Sequence, residues 1–194
     1  MASFTLALPF ILKHEGTELF EDKVNGERSR YGITMKLLRA ISYQVTDPNN
    51  LMPADVENVY CNVFWIPNKL IEIESQLVAN KILDMAVNMG SFTAIRLLQA
   101  SLNSVGALCV IDGIMGPHTT ITINEFLRTD NAEERLLSEL VIKAIAYYKQ
   151  IATGSKAQYL AGWITRAEDI GTGVADKVAF STLRDGGKDK VIKG

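Results

Sequence analysis

Through most of this 194-residue chain, apolar side chains recur every three or four positions, a spacing that admits helices and little else. The pattern is clearest at Leu136, Leu137, Leu140, Val141, Ala144, Ile145 and Tyr148, one stripe of an amphipathic helix that Asp130 and Glu133 open as a capping box. Ser3 stands as N-cap before Phe4, Leu8, Ile11 and Leu12, so a first helix ends near Glu15 and Gly16. Thr34 caps a short second helix carrying Leu37, Leu38 and Ile41, and "DPNN" makes a turn. Pro53 suits the first position of a third helix, which bears Val56, Val59, Tyr60, Val63 and Phe64 and stops at "WIPN". Helical spacing continues over 71–89 until Gly90, then over 94–102, 119–127 and a last helix with Tyr159, Leu160, Trp163, Ile164 and Ala167. After Gly171 the stripe weakens and the tail "DGGKDKVIKG" is expected to fray. The fold class is therefore all-α.

One segment departs from this rule. Residues 15–34 read "EGTELFEDKVNGERSRYGIT", crowded with acids, arginines and glycines. Any β-structure belongs there, as a small hairpin within residues 18–32 turning at "NGE".

Composition excludes several function classes. A hydrophobic content of 47% in a chain of this length supplies one substantial core. Acids and bases nearly balance, leaving a formal charge of −2, so neither a phosphate backbone nor an anionic membrane is a natural partner. No run approaches the roughly 20 apolar residues needed to cross a bilayer, and "MASFTLALPFILKHEG" lacks the basic start and small-residue cleavage site of a signal peptide. Cys61 and Cys109 are too few for a disulfide framework and read as buried thiols. With only His14 and His118 and no Cys/His spacing pattern, neither a metal nor a cofactor is expected.

A Glu closing an apolar helix and facing a polar loop suits hydrolysis of a glycosidic bond. One carboxyl group, kept protonated by apolar surroundings and by the negative end of the helix dipole, donates to the leaving oxygen; a second carboxylate or a hydroxyl positions water. Glu15 fits the first role, with Asp22 and Ser29 for the second and Glu18 and Glu21 as rivals. The competing reading makes Glu15 a solvated last-turn residue. Tyr31 is a candidate saccharide platform or a core-packing ring, and Asn88 either reaches a sugar N-acetyl group or caps a turn. Trp65 and Trp163 read as core anchors.

"HEG" after an apolar helix, followed by "NGERSRYGIT", resembles the signature of glycoside hydrolase family 108, in which E-G-G-Y is followed by a Gly- and Asp-rich loop ending in G-G-E-T-x-Y-G-I-T. Further along, "VENVYCNVFW" resembles the family's v-x-x-i-Y-x-x-x-Y-W helix. "DMAVNMGSFTAIRLLQASLN" and "IDGIMGPHT" resemble its peptidoglycan-binding C-terminal region, and "AYYKQIA" and "LAGWITRAED" its closing helices with an aromatic pair and G-W-x-x-R. Thr17 replaces the signature's second Gly, its Tyr has become Glu18 or shifted to Phe20, and Ser29 stands for the usual Thr.

The resemblance implies a lysozyme-like N-acetylmuramidase cleaving the β-1,4 bond between N-acetylmuramic acid and N-acetylglucosamine. It puts Glu15 in the role of general acid, Asp22 and Ser29 in that of water holders favouring inversion, and Tyr31, Thr34 and Asn88 against substrate. It also implies a catalytic region over 1–90 and a peptidoglycan-binding-like region over 91–194, packed as one unit. The partner is a peptidoglycan glycan strand, reached in the periplasm or on the cell wall of the host or a target bacterium. With no export signal in view, delivery falls to a holin, a secretion machine or lysis, so a phage endolysin and an antibacterial effector with its immunity protein both fit. A lytic transglycosylase, a non-catalytic wall-binding module and a plain helical interaction protein remain as alternatives.

Overall fold

The computed structural model describes residues 1–21 and 26–171. The expectations for Asp22 and for the tail after Gly171 lie outside the described residues.

Among the described residues the architecture is eight α-helices and one small sheet. The helices are α1 (Phe4–Glu15), α2 (Met35–Ala40), α3 (Pro53–Tyr60), α4 (Gln76–Met89), α5 (Ser91–Ser104), α6 (Pro117–Leu127), α7 (Ala132–Ile151) and α8 (Leu160–Glu168). Pro53 and Pro117 occupy first-turn positions, where the missing N–H costs nothing. Helix α3 runs straight into a π-helical turn over Cys61–Trp65, which carries Trp65 into the core.

The sheet is larger than the expected hairpin. Strands β1 (Leu19–Glu21), β2 (Arg28–Arg30) and β3 (Ile33–Thr34) form an antiparallel meander in that order, so the β-structure extends to Thr34. In register, Ser29 pairs with Phe20 on one side and Thr34 on the other. Strands β2 and β3 are joined by two residues, Tyr31 and Gly32, with φ of 54° and 70°. Two successive positive φ values are what a tight hairpin loop of the I′ type requires, because its twist matches that of the strands.

Two element starts differ from the sequence reading. Helix α4 begins at Gln76 and not at residue 71, because the Ser75 hydroxyl accepts the Val78 N–H at 3.0 Å and residues 70–72 form a separate 3₁₀ turn. The capping box at α7 does not form. Its N-cap is Asn131 in a left-handed conformation, and the Glu133 carboxylate accepts a 2.5 Å hydrogen bond from Ser75 instead. A long-range partner has displaced a local one.

Helix α4 is the spine. It packs against α1, α5 and α7, and Val78, Ala79, Ile82, Leu83 and Ala86 are wholly buried. Each buried Ile or Leu there contributes about 1.5–3 kcal/mol relative to exposure. The buried apolar residues form one continuous cluster from Ala2 to Ile170. Among the described residues no helix is long and apolar enough to cross a membrane. Cys61 and Cys109 are free and half-buried, less enclosed than expected.

Two charged residues on α4 break the apolar pattern. Lys81 is 0% exposed and Asp84 2%. The Lys81 ammonium donates to the carbonyls of Arg166, Ala167 and Asp169 at 3.3, 2.7 and 3.1 Å, taking up acceptors that the end of α8 leaves without helical partners. It also lies 3.8 Å from the Asp84 carboxylate. Burial pulls the Lys81 pKa down, against the opposing pull of Asp84 and Asp169. Replacing Lys81 by Met keeps the length of the side chain but strands those carbonyls, so urea denaturation of K81M should show a loss of about 3 kcal/mol or more. A loss below about 1 kcal/mol would mean that the lysine does not hold α8 to α4.

Candidate active site

The last residue of α1 is Glu15, and Gly16 ends the helix in a positive-φ conformation. The Glu15 side chain is only 16% exposed. On one side it meets the β2–β3 turn: a Cβ added to Gly32 would lie 2.6 Å from the Glu15 Cδ and 2.8 Å from its Cγ, inside van der Waals contact. Only glycine fits between the turn and the carboxylate. The turn is held in turn by Tyr60, whose hydroxyl donates to the Tyr31 carbonyl at 2.5 Å. Burial pushes the Tyr60 hydroxyl pKa far up, and the nearby Glu15 charge adds to it.

On the other side stands Arg166 of α8. Its Nη2 lies 2.6 Å from Glu15 Oε1, and its Nε donates to Asp84 Oδ1 at 2.8 Å. The contact to Glu15 is an ion pair at an angle off the N–H direction, so Nη2 has no aligned acceptor. Burial opposes the guanidinium's charge, but Asp84 and Glu15 outweigh it and hold Arg166 more firmly protonated. The apolar surroundings expected for Glu15 are therefore not present, because α8 brings a cation to it across the fold. His14, one residue earlier, lies 3.3 Å from Asp169, and burial lowers its pKa despite the neighbouring carboxylates.

The remaining expected residues are distributed around this centre. Ser29 sits mid-strand in β2, two residues before the turn that abuts Glu15. Its neighbours Arg28 and Arg30 reach the loop at 47–49, Arg28 pairing with Asp47 at 2.6 Å and Arg30 donating to the Asn49 carbonyl at 3.1 Å. Tyr31 is half-buried with the Arg30 guanidinium 4.9 Å from its ring centre. The Thr34 hydroxyl accepts the Leu37 N–H at 3.0 Å, so it caps α2. Asn88 donates to the Tyr148 hydroxyl at 2.6 Å, and burial pushes that hydroxyl's pKa up to about 12. Tyr148 stacks on Trp163 of α8 with ring centres 5.4 Å apart. Trp65 is core, as expected, whereas Trp163 is half-buried. Glu18 and Glu21 are exposed on the loop and on β1.

The residues that sequence reading left without a role are Arg166, Asp84 and Tyr60. Each sits in a motif already noted, the G-W-x-x-R, the D-x-x-v-N-x-G and the aromatic helix, but nothing in a linear string says that Arg166 reaches Glu15 while Asp84 holds the guanidinium and Tyr60 holds the turn. Among the described residues no group of three or more His, Cys, Asp or Glu side chains is placed to hold a metal ion. A separate recess of about 520 Å³ lies between the 105–108 loop, α6 and α7, lined in part by His118, Glu125, Phe126 and Arg135.

Comparison with known proteins agrees with this picture. Residues 8–90 match the sequence family described as "Glycosyl hydrolase 108", and residues 93–168 match "Predicted Peptidoglycan domain". No curated protein sequence matches the chain. Among solved structures, that of Brucella abortus SagA superposes with a TM-score of 0.69 at 20% identity, covering 97% of this chain and 98% of that one, which establishes a shared fold. With both family regions in sequence and the helical fold they occupy in place, the chain carries a glycosyl hydrolase 108 region over residues 8–90 followed by a peptidoglycan domain over 93–168, and is a glycoside hydrolase acting on peptidoglycan.

Proposed function

We propose that this hydrolase is an N-acetylmuramidase with Glu15 as its general acid. The observation that carries this reading is the enclosure of the Glu15 carboxylate at the end of α1, between a turn where only glycine fits and the guanidinium of Arg166. That enclosure supports a catalytic role over that of a solvated last-turn Glu. In the reaction the Glu15 carboxyl hydrogen passes to the N-acetylglucosamine O4, and the electron pair of the C1–O4 bond goes with that oxygen. As that bond breaks, water bonds to C1 of N-acetylmuramic acid from the opposite face and passes a proton to the second carboxylate, for which Asp22 is proposed.

Asp22, outside the described residues, and Ser29 are proposed to hold that water, an arrangement that favours inversion. A serine hydroxyl can donate and accept as threonine does, without the methyl that restricts its rotamer. Tyr31, Thr34 and Asn88 are proposed substrate neighbours. The hydroxyl of Thr34 and the amide of Asn88 already have partners, which leaves the Tyr31 ring best suited to a sugar face. We propose a functional division near Gly90, with catalysis in the first part and wall binding in the second, and action on the wall of a host or target bacterium as an endolysin or antibacterial effector. Genes for a holin or for an immunity protein beside its own would tell these apart.

In a turbidity assay on purified sacculi, E15Q should lose nearly all lysis, by a factor of about 10² or more, while still sedimenting with the wall and melting near the wild type. Undiminished lysis would remove Glu15 from the mechanism. Mass spectrometry of the released muropeptides should show hydrated reducing ends; anhydro sugars would assign the chain to the transglycosylases instead.

Gly32 offers a second check. In G32A the new methyl collides with the Glu15 carboxylate and the residue is held at positive φ, so stability should fall by about 1–2 kcal/mol. Lysis should fall much further, by about a hundredfold, as expected when a reacting group is displaced by about an ångström.

A further inference from the structure

Among the contacts that join the two family regions, one side chain links them at Glu15. Glu15 and Asp84 belong to the part matched as the hydrolase, whereas Arg166 belongs to the part matched as the peptidoglycan domain. Arg166 spans both carboxylates, with Nε on Asp84 at 2.8 Å and Nη2 beside Glu15 at 2.6 Å. Its placement is over-determined from behind. Lys81 binds the Arg166, Ala167 and Asp169 carbonyls, Asp169 pairs with Lys13 at 2.6 Å, and Trp163 stacks on Tyr148 one turn earlier in α8. Three elements, α1, α4 and α7, thus fix the position of one guanidinium.

We propose that Arg166 is a positioning residue for the catalytic acid, so that the C-terminal region completes the active site and is not only a wall anchor. This rests on the reading of Glu15 as general acid. A general acid must accept negative charge as the glycosidic bond breaks, and a cation fixed against Oε1 lowers the cost of that charge while orienting the carboxyl group. Oε2 remains on the Gly32 side, the side of the polar segment from which substrate would approach. Other ionisable groups facing the pair are Lys81 and Asp84 on α4, His14 on α1, Tyr60 on α3, Tyr148 on α7 and Asp169 after α8.

The test uses the full chain on purified sacculi. R166Q alone leaves Asp84 buried without its partner, so the D84N/R166Q pair, which removes both charges, is measured beside R166K. For the folded double variant, kcat should fall by about a hundredfold while the apparent KM for sacculi and wall binding stay near the wild type. R166K, which keeps the cation, should recover part of kcat at an unchanged apparent KM, which a purely structural role would not do. A folded double variant with wild-type kcat overturns the inference. If E15Q is inactive while that double variant keeps full activity, only the role of Arg166 fails; if E15Q lyses sacculi as well as the wild type, the acid assignment and this inference fall together.

Discussion

The buried ionic chain Lys81–Asp84–Arg166–Glu15 is the interaction on which the remainder of the structure depends. Placing Lys81 and Asp84 in the core with Arg166 and Glu15 only partly exposed beside them is costly, and a hydrophobic replacement of similar volume would often stabilise as well or better. Their presence makes sense through what they specify. Lys81 ties the end of α8 to α4, Asp84 aims the guanidinium, and the guanidinium reaches the end of α1. An apolar core would hold the same helices together without setting the angle of any one of them.

The same economy appears at the sheet. The β2–β3 turn is short and carries two positive φ values, and its backbone is tied to α3 by the Tyr60 hydroxyl. That bond connects the π-helical corner of the core to the segment lining the acid. The polar stretch that interrupts the helical pattern is therefore neither free linker nor independent module. It is one side of the enclosure around Glu15, whose other side comes from a helix more than 130 residues further along.

Much of the fold was legible because helical periodicity is a local property. The stripe in α7, the glycine between α4 and α5, and the prolines opening α3 and α6 each act within a few residues of themselves. Where the reading failed, a distant partner had intervened. Glu133 left its expected cap for Ser75, 58 residues away, and the helix expected from residue 71 waited for the same serine. Glu15 could be singled out from its place at a helix end and from its resemblance to a family signature. Its surroundings could not, since the cation beside it lies on α8.

By itself, then, the order of residues determined the helices, the position of the polar excursion, the Glu at its edge and the two family regions, because all of these are written in short-range spacing and motif order. Tertiary structure alone decided what the acid touches. A charge 151 residues away along the chain becomes a neighbour at 2.6 Å only when α8 has docked on α4, and no local propensity encodes that distance.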